Sequence, residues 1–188
     1  IGYKYNLNNQ NYLIANYNLS SRPPNASELF SDGLHHSAAR IEIGDLRLNS
    51  EISNRFSLTY SYENKKLNVL VDAFYNSIND YMYLRPTGVL QSNRGAFPVW
   101  EYEQTDAQLF GADITINYDF TPAFNWVNKT AFIKGYDSND APLIDMPAFN
   151  TLNKITYTNP LWYNFTASLE NEWVFEQNEF PDFNFEID

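Results

Sequence analysis

The sequence predicts an all-β fold, an antiparallel up-and-down meander of about eight strands, and two observations carry that prediction. The first is period-two alternation: apolar side chains recur at every second position over five or more residues in the cleanest stretches. The second is that the connections alternate in length, short polar turns against long irregular loops.

In chain order, the first two alternating segments are Ile1, Tyr3, Tyr5, Leu7 and then Leu13, Ala15, Tyr17, Leu19. The third is Phe56, Leu58, Tyr60, Tyr62. The fourth is cleaner, with Leu67, Val69, Val71, Ala73 and Tyr75 on one face and Asn68, Asp72 and Asn76 on the other. Ala112, Ile114, Ile116 and Tyr118 make the fifth, and residues 126–136 and 151–157 are less regular but rich in β-formers. The last places Tyr163, Phe165, Ala167, Leu169, Trp173 and Phe175 opposite Asn164, Thr166, Ser168, Glu170 and Glu172.

Short turns are expected at residues 8–10, 63–66, 121–122 and 158–160, and long irregular loops at 20–50, 85–100 and 137–147, with a tail over 176–188. Alternation by itself fits two architectures. In a soluble sandwich the apolar face enters a core, whereas in a membrane barrel it meets lipid and the polar face lines a wet lumen. Turns at one end and long loops at the other are the outer-membrane barrel layout; Greek-key sandwiches mix loop lengths at both ends.

Composition sets outer bounds. The 188 residues suffice for one domain. Hydrophobic residues make up 44%, yet mean hydropathy is −0.47, and no run approaches the roughly 20 apolar residues of a membrane helix. With 14 Tyr and 14 Phe the chain carries more rings than a core needs, as expected of interface girdles. The tryptophans Trp100, Trp126, Trp162 and Trp173 fall near strand ends, which suits such a belt better than the single concave platform of a carbohydrate-binding module. A net charge of −11 excludes a nucleic-acid partner, since no cationic surplus exists to neutralise phosphates. Cysteine is absent, which removes disulfides and thiolate sites. No signal-peptide pattern opens the chain at Ile1.

The candidate ligand residues sit in the longest loop. His35 and His36 are the only histidines, and Asp32, Glu28 and Arg22 are nearby. Imidazole with carboxylates is a zinc donor set, and a lone imidazole is an axial ligand for haem iron. Adjacent residues of an extended segment point opposite ways, so His35 and His36 meet one ion only across a turn; a solvated pair is the plainer alternative. Asp137, Asp140 and Asp145 make a second oxygen-rich cluster, but without the spacing or the terminal Glu of a calcium loop, so a solvated acidic loop is the better reading. Arg22, Arg40, Arg47, Arg85 and Arg94 also gather in the long loops, positioned for an anionic ligand and, more simply, for ion pairs with the 23 acids. Catalysis finds no support: no serine has a G-x-S-x-G elbow, and no phosphate-cradling glycine motif occurs. The chain reads as no enzyme.

The order of motifs resembles one family. Arg22, Pro24, Glu28, Leu29 and Phe30 are similar to the Arg-x-Pro-x-x-x-Glu-Leu-Phe/Tyr segment of TonB-dependent outer-membrane receptors, and Gly44, Asp45, Leu48, Glu51 and Ser53 to the Gly-Asn/Asp-x-x-Leu-x-x-Glu-x-Ser segment that follows it. The next hairpin resembles theirs through Asp80, Tyr81, Pro86, Thr87, Gly88, Phe97, Pro98 and Val99, then Tyr102, Gln104, Asp106 and Ala107, with Gly111 expected at the lipid face. Residues 146–157 and 173–183 look similar to the strands after it. Receptors resembling this chain through its Tyr-x-Gln-x-Asp-Ala hairpin include zinc and haem uptake types.

The resemblance implies that residues 1–188 are a fragment of a transmembrane β-barrel, lacking the plug domain and the C-terminal strands. It implies residence in the outer membrane of a Gram-negative bacterium, with outer-membrane lipid around it and the TonB complex as a partner through the missing plug. The cargo would be a small metal-containing ligand: zinc, haem or a ferric siderophore, met by His35, His36, Arg22 and Asp32. Two rival readings stand beside it: a soluble all-β, carbohydrate-binding-like module, and a small barrel closed by its own eight or so strands.

Overall fold

The computed structural model describes residues 1–92 and 95–181. Eight strands form one antiparallel meander in chain order: β1 (Gly2–Asn6), β2 (Asn11–Arg22), β5 (Glu51–Glu63), β6 (Leu67–Ser92), β7 (Ala96–Thr121), β8 (Phe124–Asp137), β9 (Asn150–Asn159) and β10 (Phe165–Val174). The loop between β2 and β5 holds a short helix, α1 (Ala26–Phe30), and a small hairpin, β3 (Asp32–His35) with β4 (Arg40–Ile43). β4 adds to β7 in parallel, at Ile41↔Val99 through Ile43↔Glu101.

Local chemistry makes the short turns. Asn8 Oδ1 accepts from the Gln10 and Asn11 amides, Asn64 Oδ1 from Lys66 and Leu67, and Thr121 Oγ1 from Ala123 and Phe124. In each, a side-chain oxygen satisfies backbone donors two or three residues on and closes the reversal. These turns share one end of the sheet, and the connections 23–50 and 138–149 share the other with the far end of the β6–β7 hairpin.

Register keeps the two faces separate across all eight strands. Leu67, Val69, Val71, Ala73 and Tyr75 of β6 stand opposite Tyr118, Ile116, Ile114, Ala112 and Phe110 of β7. On the other side they meet Tyr62, Tyr60, Leu58 and Phe56 of β5, which continue to Leu13, Ala15 and Tyr17 of β2. The opposite face carries Ser57, Thr59, Asp72, Asp113, Lys129, Lys154 and Glu170; Thr59 donates to Asp72, and Lys154 pairs with Glu170 at 3.5 Å. Among the described residues no second sheet covers the apolar face, so the sandwich expectation fails: Phe56, Tyr75, Phe165 and Leu169 all stand exposed. The few buried apolar residues, Ile41, Ile78, Met82, Leu84, Val99, Ala107 and Leu143, lie at the long-loop end, where loops pack on the β6–β7 hairpin.

Four expectations change. Residues 85–100 are not an irregular loop, because β6 and β7 are 26 residues each and continue as a ladder to Ser92 and from Ala96. Pro86 and Gly88 are absorbed in a bulge, where residues 87–89 oppose Val99 alone and Thr87 Oγ1 donates to the Val99 carbonyl at 2.8 Å. Trp100 therefore sits on the projecting hairpin rather than in an interface belt. The last turn spans 160–164, with Tyr163 and Asn164 left-handed at φ 55 and 59, so Tyr163 does not belong to the β10 face. Gly111 shares the polar face with Asp113, because the ring of Phe74 lies across it. Arg94 and the stretch from residue 182 onward, Phe183 included, lie outside the described residues.

Candidate functional site

The long-loop end is assembled from α1 outward. Asn25 caps the helix: its Oδ1 accepts from the Glu28 amide at 3.0 Å, and Glu28 Oε2 accepts from the Asn25 amide at 2.7 Å. Arg22, the last residue of β2, donates from Nη1 to both Glu28 carboxylate oxygens at 3.0 Å and from Nε to Glu51 Oε2 at 2.7 Å. Glu51 Oε1 in turn accepts from the Met82 amide at 2.6 Å. Arg22 is thus a clamp joining β2, α1, β5 and β6, with its Nε and Nη1 engaged by carboxylates.

The Gly44–Asp45 step closes the same clamp from the far side of the loop. The Gly44 amide donates to the Ser31 carbonyl at 2.7 Å and that of Asp45 to the Glu28 carbonyl at 3.0 Å. A Cβ at Gly44 would lie 2.6 Å from the Leu29 carbonyl carbon, so only glycine permits this approach. Gln104 then ties the loop to the hairpin. It accepts from the Asn49 amide at 2.8 Å and donates to the carbonyls of Asn49 and Asp80 at 2.9 and 2.8 Å. Asp80 is the left-handed residue (φ 56) of the bulge where β6 leaves the apolar stretch.

His35 ends β3 and reaches Glu42 of β4. Nδ1 lies 2.8 Å from Glu42 Oε1, to which Arg40 Nε also donates at 2.8 Å, and Nε2 lies 3.1 Å from Ser37 Oγ. Glu42 is only 6% exposed. Burial pushes its carboxyl up, but the hydrogen bonds from His35 and Arg40 outweigh that and hold it below the ordinary carboxylate range. An ionised Glu42 only accepts, so the proton of a neutral His35 sits on Nδ1, and the Nε2 lone pair accepts from the exposed Ser37 hydroxyl. A metal-ligating imidazole is prepared in this way, its other nitrogen held by a carboxylate. Arg40 also stacks over the Trp100 ring, 4.9 Å from its centroid, fixing the small hairpin to β7.

Asp32 and His35 line one open hollow of about 390 Å³ together with Ser27, Ser31 and Glu42. His36 lies exposed in the turn beyond and does not join them. Among the described residues, no three His, Asp or Glu side chains converge to hold a metal ion. Asp137 closes its own loop by accepting from the Asn139 and Ala141 amides at 2.7 and 2.9 Å. Arg40, Arg47 and Arg85 pair with Glu42, Asp45 and Glu103 at 2.7–2.8 Å, as the surplus of acids suggests. Burial, with Glu103 beside it, pushes the Tyr83 phenol up to about 12, so it stays a neutral hydroxyl on the hairpin at any physiological pH. Sequence reasoning missed Glu42 and saw Arg40 only as one of several loop arginines open to ion pairing. Their signal was the Arg-Ile-Glu-Ile alternation, hidden inside what reads as an irregular loop.

Against this geometry, residues 1–184 match the family model described as TonB dependent receptor-like, beta-barrel. The chain belongs to this family. Solved structures with the same fold include the copper transporter OprC, at TM-score 0.73 and 18% identity over 90% of this chain and 25% of that one. The siderophore receptor PirA from Pseudomonas aeruginosa matches at 0.66 and 11%, over 91% of this chain and 32% of that one. The pyoverdine outer membrane receptor FpvA from Pseudomonas aeruginosa PAO1 matches at 0.64 and 13%, over 92% and 24%. The chain therefore spans about a quarter to a third of the length of these proteins. TonB-dependent receptors are outer-membrane receptors of Gram-negative bacteria, so the meander is a section of a barrel wall. Its charged face is the lumen side and its apolar face the outer side.

Proposed function

We propose that the whole protein is an outer-membrane receptor that captures a metal complex at the long-loop end and imports it by energy coupling through a plug domain and the TonB complex. The observation that carries the cargo reading is the His35–Glu42 pair beside an open hollow. One prepared imidazole, without two further His, Asp or Glu donors converging on it among the described residues, suits a metal that arrives with its own ligands and one open position. Haem is the best match, since an axial imidazole is what its iron takes; a metal-siderophore complex or zinc fits this donor set less well. OprC and PirA are described by the metals and siderophores they handle, but at 18% identity or less they support the fold, and the cargo reading rests on the geometry.

The test is calorimetry on the full-length receptor with hemin and with zinc. Replacing His35 with Ala is expected to weaken hemin binding tenfold or more, replacing His36 to leave it unchanged, and zinc to respond weakly to either. Unchanged affinity in His35→Ala for both probes would remove His35 from the site and, with it, the case for haem.

A further inference from the structure

The imidazole that Glu42 prepares is not an open donor, because its second nitrogen is already engaged. Ser37 Oγ lies 3.1 Å from His35 Nε2, in a contact exposed to solvent. With the proton of the neutral ring on Nδ1, facing Glu42, Nε2 carries only a lone pair, so the hydroxyl is the donor. That lone pair is the one a metal would take, since Nδ1 is held by the carboxylate. Ser37 and a metal therefore compete for one atom.

The turn between β3 and β4 sets this contact. His35 and Arg40 are the last paired residues of the hairpin, joined through His36, Ser37, Ala38 and Ala39. The Ala38 amide donates to the His35 carbonyl at 3.2 Å, which closes a β-turn with Ser37 at its third position. Ala39 is left-handed at φ 50, an uncommon conformation for a residue with a Cβ, and it brings the chain back into register at Arg40. Ser37 is thereby returned against the ring two positions before it. His36, the other central residue of the turn, is exposed, and among the described residues its ring makes no hydrogen bond to the protein.

The strength of the contact decides what it can do. A neutral hydrogen bond open to water contributes little net, because water replaces either partner, so the hydroxyl leaves without disturbing the hairpin. A metal complex binds Nε2 only in the fraction of molecules whose ring is uncapped, and its apparent affinity is lowered by that fraction. The Glu42 contact has the opposite character: it is largely buried, engages the other nitrogen and survives coordination. One partner of the ring is permanent and one is exchangeable.

We infer that Ser37 is a displaceable cap on the metal-binding nitrogen of His35, which capture of a metal complex must remove. The inference rests on the cargo reading of this site. Its first test needs no cargo: the full-length receptor is treated at fixed pH with diethyl pyrocarbonate, which transfers its ethoxycarbonyl group to the lone pair of a neutral imidazole. Fragment mass spectra read His35, with His36 on the same peptide as the internal reference. Ser37→Ala is expected to raise the His35 rate about two- to fivefold relative to His36, the size of a lost exposed hydrogen bond, and Ser37→Thr, which keeps the hydroxyl, to stay near the parent rate. Calorimetry with hemin should show binding tightened by a similar factor in Ser37→Ala and restored to the parent value in Ser37→Thr. An unchanged His35 rate in Ser37→Ala would overturn the cap. A raised rate with unchanged hemin affinity, where His35→Ala weakens hemin binding, would overturn the exchange. Unchanged hemin affinity in His35→Ala would overturn the cargo reading and the exchange with it, and the reagent rate, read without hemin, separates that failure from a failure of the cap.

Discussion

Phe74, Gly111 and Arg55 make a stack on the lumen side that accounts for the glycine. A Cβ at Gly111 would lie 2.5 Å from the Phe132 carbonyl oxygen and 2.9 Å from the Phe74 ring, and the Arg55 guanidinium also rests over that ring, 4.0 Å from its centroid. An aromatic ring covering a strand glycine restores the contact the missing side chain would have made. Gly111→Ala is expected to cost about 1–3 kcal/mol, the usual size of an overpacking penalty, read as a lower urea midpoint for the folded barrel. Glu42 carries the pH dependence of the loop. Its folded carboxyl lies below its unfolded value, so the stabilisation is fully present above the ordinary carboxylate range and is lost as pH falls through the depressed folded value. Hydrogen exchange at the β3–β4 amides is therefore expected to accelerate on acidification, and Glu42→Gln to flatten that response. A pH-independent protection pattern in the parent protein would contradict it.

At the scale of elements, the β6–β7 hairpin is the scaffold of the site. Beyond Asn79 its strands add about 40 Å of extended chain to the barrel wall, at roughly 3.3 Å per residue. The loop between β2 and β5 leans on this projection through β4, Gln104 and the Arg40–Trp100 contact. Arg22 holds the near end of that loop. Arg22→Met leaves Glu28, at 8% exposure, without its cation. The local cost is expected at about 1–3 kcal/mol, towards the low end because the Arg22 side chain is itself 46% exposed. Limited proteolysis reads the effect: cleavage within residues 23–50 should appear while the strands stay resistant, and an unchanged digest would dismiss the clamp. This is also where the sequence was least legible. The eight meander strands follow from alternation, which depends only on side-chain period. The continuation of β6 through Pro86 and Gly88 does not, because a bulge absorbs residues that ordinarily end a strand. The β3–β4 hairpin was hidden for a different reason: its strands are four residues each, too short for a period to emerge, and their partner β7 is distant in sequence.

For the molecule as a whole, the decisive property is a single sheet with one apolar and one charged face, and with its buried residues gathered at one end rather than between layers. The motif residues had a legible place, but their contacts were not legible. Arg22 and Glu28 are structural partners, whereas the prepared imidazole depends on Glu42, which no motif marked. The central claim, that this sheet is the wall of a membrane barrel, is tested most directly by nitroxide labels placed one at a time from residue 68 to residue 75 of the full-length receptor in bilayers. Collision with oxygen, which partitions into lipid, is predicted to peak at Val69, Val71, Ala73 and Tyr75, and collision with a water-soluble nickel chelate at Asn68, Leu70, Asp72 and Phe74. Equal exposure of both sets to the nickel chelate, with no alternation in the oxygen signal, would contradict the account.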